Sequence, residues 1–588
     1  MRIRANERLQ WPCGVKGAHE QAQAVNNRVC QWIVRNSEIP ACGLLLSVLF
    51  VLHITSLHHK GLTTDEPVHY QYGNRVLQSS LRRTGALDSS TMPFSGLHAT
   101  TSQLLAIIGN TSGFSVDTSW VAQIKRGRYA TIILSLFLAL YVFVWSYQLY
   151  GRQGALLSLS LYVFDPNFLA HGQLVTADLP AALMITMALY YFWQFLKLGG
   201  KAPALLSATT LGLSQLAKYS CVYLYPIFLV TGVIHRRSMT AAEAGMSSWH
   251  RKLICSVRRL SLVTALFAGV SILVINLGFG FDGFGTPLSK YTFKDAFFKT
   301  VQATPIIANL PLPLPVPYLQ GLDLCKFEEK MGQAWGNIYM AGNVRVNRHD
   351  GTLHGFPGYY FYAAVFKVPI ATQLIFLFAL FGYFWRRNQA ASALRREEVF
   401  LLLPMLVYWL YFNFFFNAQI GIRHVLPVFA LGIIFCGRFL AKPESKLRNC
   451  AAVVLVSWVA ASTLSYYPHF ISYFNEFVLD RKLAYRRLAD SNLDWRGNEW
   501  YLAEYLRRHP GTIVDPRKPQ AGRIVVPVNA LVGVNRDPEE YRWLREHFAP
   551  VDHIAYSFLV YDVPKEMLPQ SGGDSKNPKY LSASTRHQ

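Results

Sequence analysis

Long runs of apolar residues recur along the chain, separated mostly by short polar connections. A helix that crosses the hydrocarbon core of a bilayer needs about 17–25 mostly apolar residues, and many of these runs have that length. The pattern therefore predicts about eleven transmembrane helices, at 41–57, 129–150, 155–171, 179–196, 203–217, 219–234, 260–280, 365–384, 398–416, 425–441 and 450–466.

The polar segments divide the chain into three predicted regions. Residues 1–40 form a basic leader, 41–466 a helical membrane domain, and 467–588 a small α/β domain with a disordered tail from about residue 570. In the last region, helical spacing predicts helices at 499–508 and 538–548, and alternating apolar residues predict strands at 523–528 and 553–561. We thus predict an all-α polytopic membrane protein with a small α/β C-terminal domain.

Two connections in the membrane domain are unusually long, at 58–128 and 281–364. In the first, polar and apolar residues at helical spacing predict an interfacial helix over 68–83. In the second, alternating prolines at 309–317 forbid a helix and predict an extended segment. Connections of this length are usually functional.

The positions of Lys and Arg predict the orientation of the chain in the membrane. The connections that contain Arg236, Arg386 and Arg438 are rich in basic residues, and with an odd number of spans all three lie on the side of the N-terminus. Because positively charged loops stay in the cytoplasm, we expect a cytoplasmic N-terminus and a C-terminal region outside. The first apolar run lacks a cleavage site, so we expect a retained anchor.

The overall charge fits this topology better than a nucleic-acid partner. The chain has 57 Lys and Arg against 34 Asp and Glu, a formal net charge of +23, while only 15% of its residues are charged and 52% are hydrophobic. Most of the basic excess falls on the predicted cytoplasmic side, so no nucleic-acid partner is expected. Eight cysteines without a framework in the outer regions argue against structural disulfides.

A few ionisable residues remain inside or beside the predicted spans, all at their outer ends: Asp165, Asp178, Lys218, Lys367 and Arg423. Charges at membrane depth are costly and usually line a functional cavity, although Lys and Arg can also extend to the interface. Asp65 and Glu66 follow the first span on the same side, where an ordinary helix N-terminus is the alternative interpretation. Acids that activate a nucleophile, together with cations that hold an anion, suit displacement of a phosphate leaving group.

Several motifs resemble those of the GT-C membrane glycosyltransferases, a group that includes protein O-mannosyltransferases and the aminoarabinose transferase of lipid A. The acidic motif Thr64-Asp65-Glu66-Pro67 lies in the first long connection, as in that family. The other similar segments are 165–178 (DPNFLAHGQLVTAD), the turn at 212–219, Gly421 to Pro427, and 467–476 followed by 490–495. Their order covers most of the chain, from about residue 60 to 562.

The resemblance implies an inverting sugar transfer from a polyprenyl-phosphate donor to an acceptor hydroxyl or phosphate, at the outer face of a bacterial cytoplasmic membrane. It implies Asp65, Glu66 and Asp178 as catalytic residues. Lys218, Lys367 and Arg423, with Asp165, would bind the substrate and its phosphate. The expected partners are membrane lipids, the lipid-linked donor, and an acceptor lipid, glycan or protein; the sugar and the acceptor stay open.

The sequence leaves the cofactor, one turn-rich segment and three histidines without a firm assignment. No cofactor is certain, although the acids would be able to share a divalent metal ion. For the segment from Asp490 to Trp495 we favour a structural turn over a site. We assign no role to His69, His171 or His424.

Two other functions would explain the same charges. In a secondary transporter or a lipid-linked-sugar flippase they would line a translocation path, but transporters place such groups near the bilayer midplane and not at the helix ends. A catalytically inactive membrane scaffold is disfavoured by the intact acid pair.

Overall fold

The structure is a computed structural model that describes residues 38–83, 85–242, 249–385, 389–441 and 445–568. The predicted leader up to residue 37 and the predicted tail from residue 569 lie outside the described residues. Arg386, Arg387 and Lys442 of the basic connections lie outside them as well.

The described residues are mostly helical. The α-helices, numbered in chain order, are α1 Glu38–His58, α2 Glu66–Leu77, α3 Ser95–Thr111, α4 Trp120–Val163, α5 Pro166–His171, α6 Asp178–Leu198, α7 Lys201–Ala217, α8 Leu224–Ala242, α9 Trp249–Gly278, α10 Ala296–Gln302, α11 Pro305–Ala308, α12 Val316–Met331, α13 Tyr359–Lys367, α14 Ile370–Trp385, α15 Gln389–Phe414, α16 Leu426–Cys436, α17 Lys446–Leu464, α18 Glu499–Arg508, α19 Val528–Leu531 and α20 Arg542–His547. The strands are β1 Ile338–Met340, β2 Asn343–Arg345, β3 Ile513–Val514, β4 Gly522–Pro527, β5 Asp552–Ile554 and β6 Phe558–Val563.

Within the described residues, six helical segments are long and apolar enough to cross a membrane: Glu38–His58, Trp120–Val163, Asp178–Leu198, Leu394–Phe414, Ile422–Leu440 and Lys446–Leu464. The helices α13 and α14 meet at a bend of 116° and make a seventh span if they are counted together. Tyr219–His235 and Leu262–Gly278 are shorter apolar helices. The chain is therefore a polytopic, mostly helical membrane protein, as its apolar runs predict.

Among the described residues the number of full-length spans is lower than the predicted eleven, because several predicted segments form short or broken helices. Each predicted segment still falls largely on helical residues. Two of them, 129–150 and 155–171, meet in α4, whose helical geometry breaks at Gly151 with φ of 77°. A third, 203–217, lies on α7, which is only 17 residues long.

The long helix α4 lies at the centre of the bundle and packs against α1, α3, α6 and α16. Its interior face is buried, with Ile132, Leu138, Val142, Phe143 and Trp145 inaccessible to solvent beside the buried polar side chains Thr131, Ser135, Ser146 and Ser158. Helices α1 and α7 end, and helices α6 and α16 begin, at the same end of this bundle. Side chains that are far apart in the sequence therefore meet there.

The two long connections cover that end. In the first, α2 begins at Glu66 because Pro67 suits a first helical turn, and it ends at Leu77, before the predicted limit of 83. In the second, α12 begins at Val316, so the last two residues of the stretch 309–317 are helical and not extended as predicted, because Pro317 lies in the first helical turn, where proline is tolerated. Arg83 Nη1 donates to the carbonyl oxygen of Pro317 at 2.6 Å and joins the two connections.

The second connection also contains a small hairpin that the sequence pattern did not indicate. Strands β1 and β2 pair antiparallel around Ala341 and Gly342, which have φ of 51° and 82°. Two consecutive residues of positive φ form the tight turn that such hairpins prefer.

The C-terminal α/β region contains a four-stranded sheet in the order β3-β4-β6-β5, in which β3 and β4 are parallel and the other pairs antiparallel. The predicted strand 553–561 is in fact the hairpin of β5 and β6, because Ala555 and Tyr556 have φ of 49° and 61° and reverse the chain. Helix α18 has the predicted bounds, and α20 is shorter than the predicted 538–548.

Candidate active site

An ion pair between Asp65 and Arg423 lies at the end of the bundle where α1 and α7 end. Asp65 precedes α2 but does not cap it, since its side chain makes no capping hydrogen bond. Instead Arg423 Nη1 donates to Asp65 Oδ2 at 2.8 Å. The arginine side chain is 7% exposed and the aspartate side chain 30%, so Asp65 presents the more accessible part of this pair.

Asp178 and Lys218 extend the ion pair into a chain of alternating charges. Arg423 Nη1 lies 3.6 Å from Asp178 Oδ2, and Lys218 Nζ donates to Asp178 Oδ1 at 2.6 Å. Lys218 Nζ is also 3.3 Å from His424 Nδ1. The structure thus brings together four of the seven predicted site residues, in the order Asp65, Arg423, Asp178, Lys218.

The helix ends favour this arrangement of charges. Asp178 begins α6, where the partial positive charge of a helix N-terminus stabilises a carboxylate. Lys218 directly follows α7, where the partial negative charge of a C-terminus stabilises an ammonium group. Each of the two charged residues therefore faces a helix end of opposite partial charge as well as its ion-pair partner.

The guanidinium group of Arg423 is also covered by an aromatic ring. Its Cζ atom lies 3.9 Å from the centroid of the Trp495 ring, in cation–π contact. The buried Nε of Arg423 has no hydrogen-bond acceptor among the described residues. The arginine thus keeps a directed N–H donor beside the ion pair.

Glu66 is adjacent to Asp65 in sequence, but its side chain points into the protein and is completely buried. Arg128 donates to it from Nε at 2.7 Å and from Nη2 at 2.6 Å, and the backbone N–H groups of Thr63 and Val175 donate at 2.8 and 3.1 Å. Burial alone would raise the pKa of Glu66, but the charge of Arg128 and these hydrogen bonds hold it below its ordinary value. Glu66 therefore ties the Asp65 loop to α4.

Lys367 and Asp165 are buried apart from the charge chain. Lys367 Nζ donates to the backbone carbonyls of Ile471, Tyr473 and Asn492 at 2.7, 2.6 and 2.6 Å, which uses all three of its N–H groups. Asp165 caps α5, where its Oδ1 accepts from the backbone N–H groups of residues 167 and 168 at 2.8 and 3.1 Å. In this structure both side chains are therefore hydrogen-bonded to backbone groups, Lys367 to carbonyl oxygens and Asp165 to N–H groups.

The three histidines near the predicted site surround the charge chain. His424 contacts Lys218, and the His171 ring lies 5.8 Å from the Trp495 ring. Burial lowers the pKa of His69, which the charges of Asp65 and Asp178 oppose and those of Arg423 and Lys218 reinforce. The neutral form of His69 is therefore favoured.

The acids of this group do not form a cation site. Among the described residues, no group of three or more His, Cys, Asp or Glu side chains is placed to hold a metal ion. The carboxylates of Asp65 and Asp178 both face Arg423 Nη1, so the guanidinium group occupies the place between them. The described residues thus do not fit a shared divalent ion.

Arg128 was not singled out from the sequence, and His424 and Trp495 were named there without a role in the site. Arg128 directly precedes a predicted span and has the pattern of an ordinary flanking cation. His424 follows Arg423 in the sequence, and Trp495 is the last residue of the turn-rich segment that begins at Asp490. Proximity in sequence to these features was the available signal for a role in the site. Contacts over long sequence distances, such as that between Arg423 and Trp495, carry no local pattern.

Comparison with known proteins relates part of the chain to a family. Residues 121–246 match the family described as dolichyl-phosphate-mannose-protein mannosyltransferase. This range contains the segment 165–178 and the turn at 212–219, two of the motifs on which the resemblance rests. A search of curated protein sequences gives no significant match.

Solved structures that match this chain include the Archaeoglobus fulgidus oligosaccharyltransferase tethered to an acceptor peptide with the NVT sequon. The two chains are 13% identical with a TM-score of 0.42, over 80% of this chain and 57% of the archaeal one. This chain therefore spans little more than half the length of that enzyme. ArnT from Cupriavidus metallidurans bound to undecaprenyl phosphate is 13% identical with a TM-score of 0.25, over 92% of this chain and 99% of ArnT.

The matched segment provides Asp178 and Lys218, two of the four residues in the charge chain. Residues 121–246 carry the dolichyl-phosphate-mannose-protein mannosyltransferase signature, and the resemblance of this chain to the GT-C membrane glycosyltransferases is thereby confirmed.

Proposed function

We propose that this protein is an integral membrane glycosyltransferase that moves a sugar from a polyprenyl-phosphate-linked donor to an acceptor hydroxyl or phosphate. The observation that carries this proposal is the alternating charge chain of Asp65, Arg423, Asp178 and Lys218 at one end of a helical bundle. A lipid-linked donor can reach such a site from the membrane, and its phosphate stays at the level of the helix ends. The family match to residues 121–246 supports the same chemistry.

Asp65 is the proposed general base, since it is the more exposed acid of the group. The acceptor hydroxyl oxygen attacks the anomeric carbon from the face opposite the phosphate. The new C–O bond forms as the bond to the phosphate oxygen breaks, and that bonding pair leaves with the phosphate. The hydroxyl proton passes to Asp65, and the anomeric configuration inverts. A positioned general base typically contributes about 10²–10⁴ in rate.

Arg423 and Lys218 are the proposed partners of the leaving phosphate. Arg423 keeps its unused Nε–H donor, and Lys218 has N–H groups beyond the one that Asp178 accepts. Fixed cations that face a developing negative charge lower the barrier because they need no reorganisation during the reaction. Asp178 holds both cations in place.

In this proposal the remaining predicted residues do not contact the substrate. Glu66 positions the loop that carries Asp65, because its carboxylate joins Thr63 to Arg128 and Val175. Lys367 holds the chain around residues 471–492, and Asp165 caps α5. We therefore assign these three residues to positioning and not to contact with the substrate.

We place the site at the extracytoplasmic face of a bacterial cytoplasmic membrane. The connections rich in Lys and Arg follow helices that run away from the site, which supports a cytoplasmic location for the opposite end. The acceptor would then be a lipid, glycan or protein outside the cytoplasm. A topology reporter fused after Gln588 should be active only outside the cytoplasm, and cytoplasmic activity would contradict this placement.

The position of the charges favours an enzyme over a transporter or flippase. Transporters hold substrate and coupling ions near the bilayer midplane on broken helices. Here the paired acids and cations lie where helices begin or end, at α2, α6, α7 and the segment from Ile422.

The experiment is a transfer assay with purified full-length protein in detergent. Polyprenyl-phosphate sugars are incubated with the protein and candidate acceptors, and mass spectrometry measures the free polyprenyl phosphate and the glycosylated product. Wild-type protein should release polyprenyl phosphate and yield an inverted glycoside, and Asp178→Asn should not. Equal release by both proteins would contradict the proposed site.

A further inference from the structure

Residues 489–498, here called the bridging segment, join the helical bundle to the C-terminal sheet. On one side they contact the loop that carries Asp65. The backbone N–H of Gly61 donates to the Gly497 carbonyl at 2.8 Å, and that of Thr64 donates to the Trp495 carbonyl at 3.2 Å. The approach is close enough that a Cβ on Gly61 would lie 3.0 Å from the Gly497 Cα. The loop before Asp65 is thus bonded directly to this segment.

The same segment also holds the loop that carries Arg423. The side-chain oxygen of Asn492 accepts from the backbone N–H of Ile422 at 2.9 Å, and the Ser491 hydroxyl donates to the carbonyl of Ile420. The Trp495 ring then covers the Arg423 guanidinium at 3.9 Å. One short stretch of chain therefore contacts both loops of the Asp65–Arg423 pair.

The C-terminal sheet region fixes the bridging segment from the other side. The side chain of Asn529 accepts from the backbone N–H of Asp490 at 2.8 Å and donates to the carbonyl of Asp494 at 2.9 Å. The buried Ser557 hydroxyl donates to Asp494 Oδ1 at 2.7 Å. Through these bonds the C-terminal sheet region fixes the backbone next to Trp495 and thereby the position of its ring.

We infer that Trp495 is a positioning residue for Arg423, and that the C-terminal α/β region thereby sets the geometry of the transfer step. The ring confines the planar guanidinium so that Nη1 faces Asp65 at 2.8 Å and Asp178 at 3.6 Å. Stacking of this kind requires a flat aromatic face, which phenylalanine retains and leucine lacks. The expected effect of Trp495 on the transfer rate rests on the proposed function. Its expected effect on the two loops, which carry Asp65 and Arg423, does not depend on that function.

Trp495→Leu and Trp495→Phe test this inference in the full-length protein, with Trp500→Leu as the matched control. Trp500 lies on α18, and its side chain is about half exposed. Because a displacement of about 1 Å at a reacting centre can cost about 10² in rate, Trp495→Leu should lower kcat by about 10- to 100-fold. The KM for the donor should change by less than about threefold, and Trp495→Phe and Trp500→Leu should stay within about threefold of wild type.

Amide hydrogen exchange gives a second measurement that does not need activity. In Trp495→Leu, exchange at residues 61–64 and 420–423 should rise at least about tenfold above wild type, with no change there in Trp500→Leu. If the wild-type protein transfers no sugar, the proposed function fails and exchange alone decides the inference. Unchanged exchange in Trp495→Leu, wild-type kcat in that variant, or an equal loss in Trp495→Phe would each overturn it.

Discussion

Asp65 stands at the N-terminus of α2, but its carboxylate bonds to Arg423, which lies 358 residues later in the chain. An aspartate before a Pro-containing first turn would ordinarily accept hydrogen bonds from its own helix. Here the side chain makes no such bond and is held by the arginine instead. Asp65 therefore pairs with a distant cation and does not cap its own helix.

Substitution of Arg423 tests the need for its planar shape. We expect Arg423→Lys to lower the transfer rate at least about tenfold although the charge is kept, because an ammonium group cannot stack on Trp495 and bond to Asp65 in the same way. Initial rates with a polyprenyl-phosphate sugar measure this. Arg345→Lys is the matched control, since Arg345 also covers a ring, that of Phe356 at 4.2 Å, outside the charge chain. A wild-type rate in Arg423→Lys would contradict the assignment.

Lys218 and Lys367 should respond differently to the same substitution by methionine. Lys218 Nζ bonds to Asp178, and we expect Lys218→Met to lower the transfer rate per folded molecule at least about tenfold, while Arg423 remains beside the Asp178 carboxylate at 3.6 Å. Lys367→Met leaves three buried carbonyls without their donor, and each unsatisfied group costs about 1–3 kcal/mol.

The measurement for both lysines is the melting temperature of the purified protein together with the rate per folded molecule. Lys367→Met should have a lower melting temperature than wild type. The molecules that stay folded should transfer sugar at close to the wild-type rate. The reverse pattern, with a stable but inactive Lys367→Met, would show that this lysine contacts the substrate.

The sequence distinguishes these two lysines poorly, since Lys218 follows one predicted span and Lys367 lies at the start of another, both on the same predicted side. The apolar runs predict the helices well, and the alternating direction of the helices brings Asp178, Lys218 and Arg423 to one end. What separates Lys367 from them is the set of backbone carbonyls that surrounds it, from residues 471 to 492. Those contacts arise only when distant segments pack together.

Glu66 shows a second limit of prediction from sequence. Adjacent residues at a helix start point in different directions, so Asp65 faces the charge chain while Glu66 faces Arg128. A pair of neighbouring acids is a motif in the sequence, but in the structure its members have separate surroundings. The turn-rich segment before Trp495 likewise combines a structural turn with a contact to Arg423.

Removal of the cation that faces Glu66 should destabilise the protein strongly. Glu66 and Arg128 are both fully buried, and Arg128→Met leaves a buried carboxylate unpaired at a cost of about 3–5 kcal/mol. We expect a much lower melting temperature and yield. Arg126→Met, on the same helix, loses one exposed hydrogen bond to the carbonyl of Asp117 and should melt close to wild type. Equal melting of Arg128→Met and wild type would contradict this role.

Asp490 should make stability depend on pH. Burial raises its pKa to about 7, whereas an unfolded aspartate has a pKa of about 3.9. Between these values the unfolded chain has released a proton that the folded chain keeps, so this contribution to stability is complete below about pH 4 and is lost as the pH rises through about 7. Asp490→Asn carries no such proton and should remove that part of the dependence.

Melting temperatures of wild type and Asp490→Asn at pH 5 and pH 8 measure this effect. The melting temperatures of the two proteins should be closer at pH 5 than at pH 8, and at pH 8 the variant should have the higher melting temperature. Asp537→Asn, at an exposed position, serves as control and should parallel wild type. Parallel curves for Asp490→Asn and wild type would contradict the assignment of the titration to Asp490.

In the proposed reaction Asp65 accepts the proton of the acceptor hydroxyl during sugar transfer. The single-turnover rate of transfer from a polyprenyl-phosphate sugar to a hydroxyl acceptor tests this role, measured in parallel for wild type, Asp65→Asn and the exposed control Asp537→Asn. We expect Asp65→Asn to lower this rate by about 10²–10⁴, with unchanged melting behaviour, and Asp537→Asn not to lower it. A folded Asp65→Asn protein that transfers sugar at the wild-type rate would show that Asp65 is not the general base.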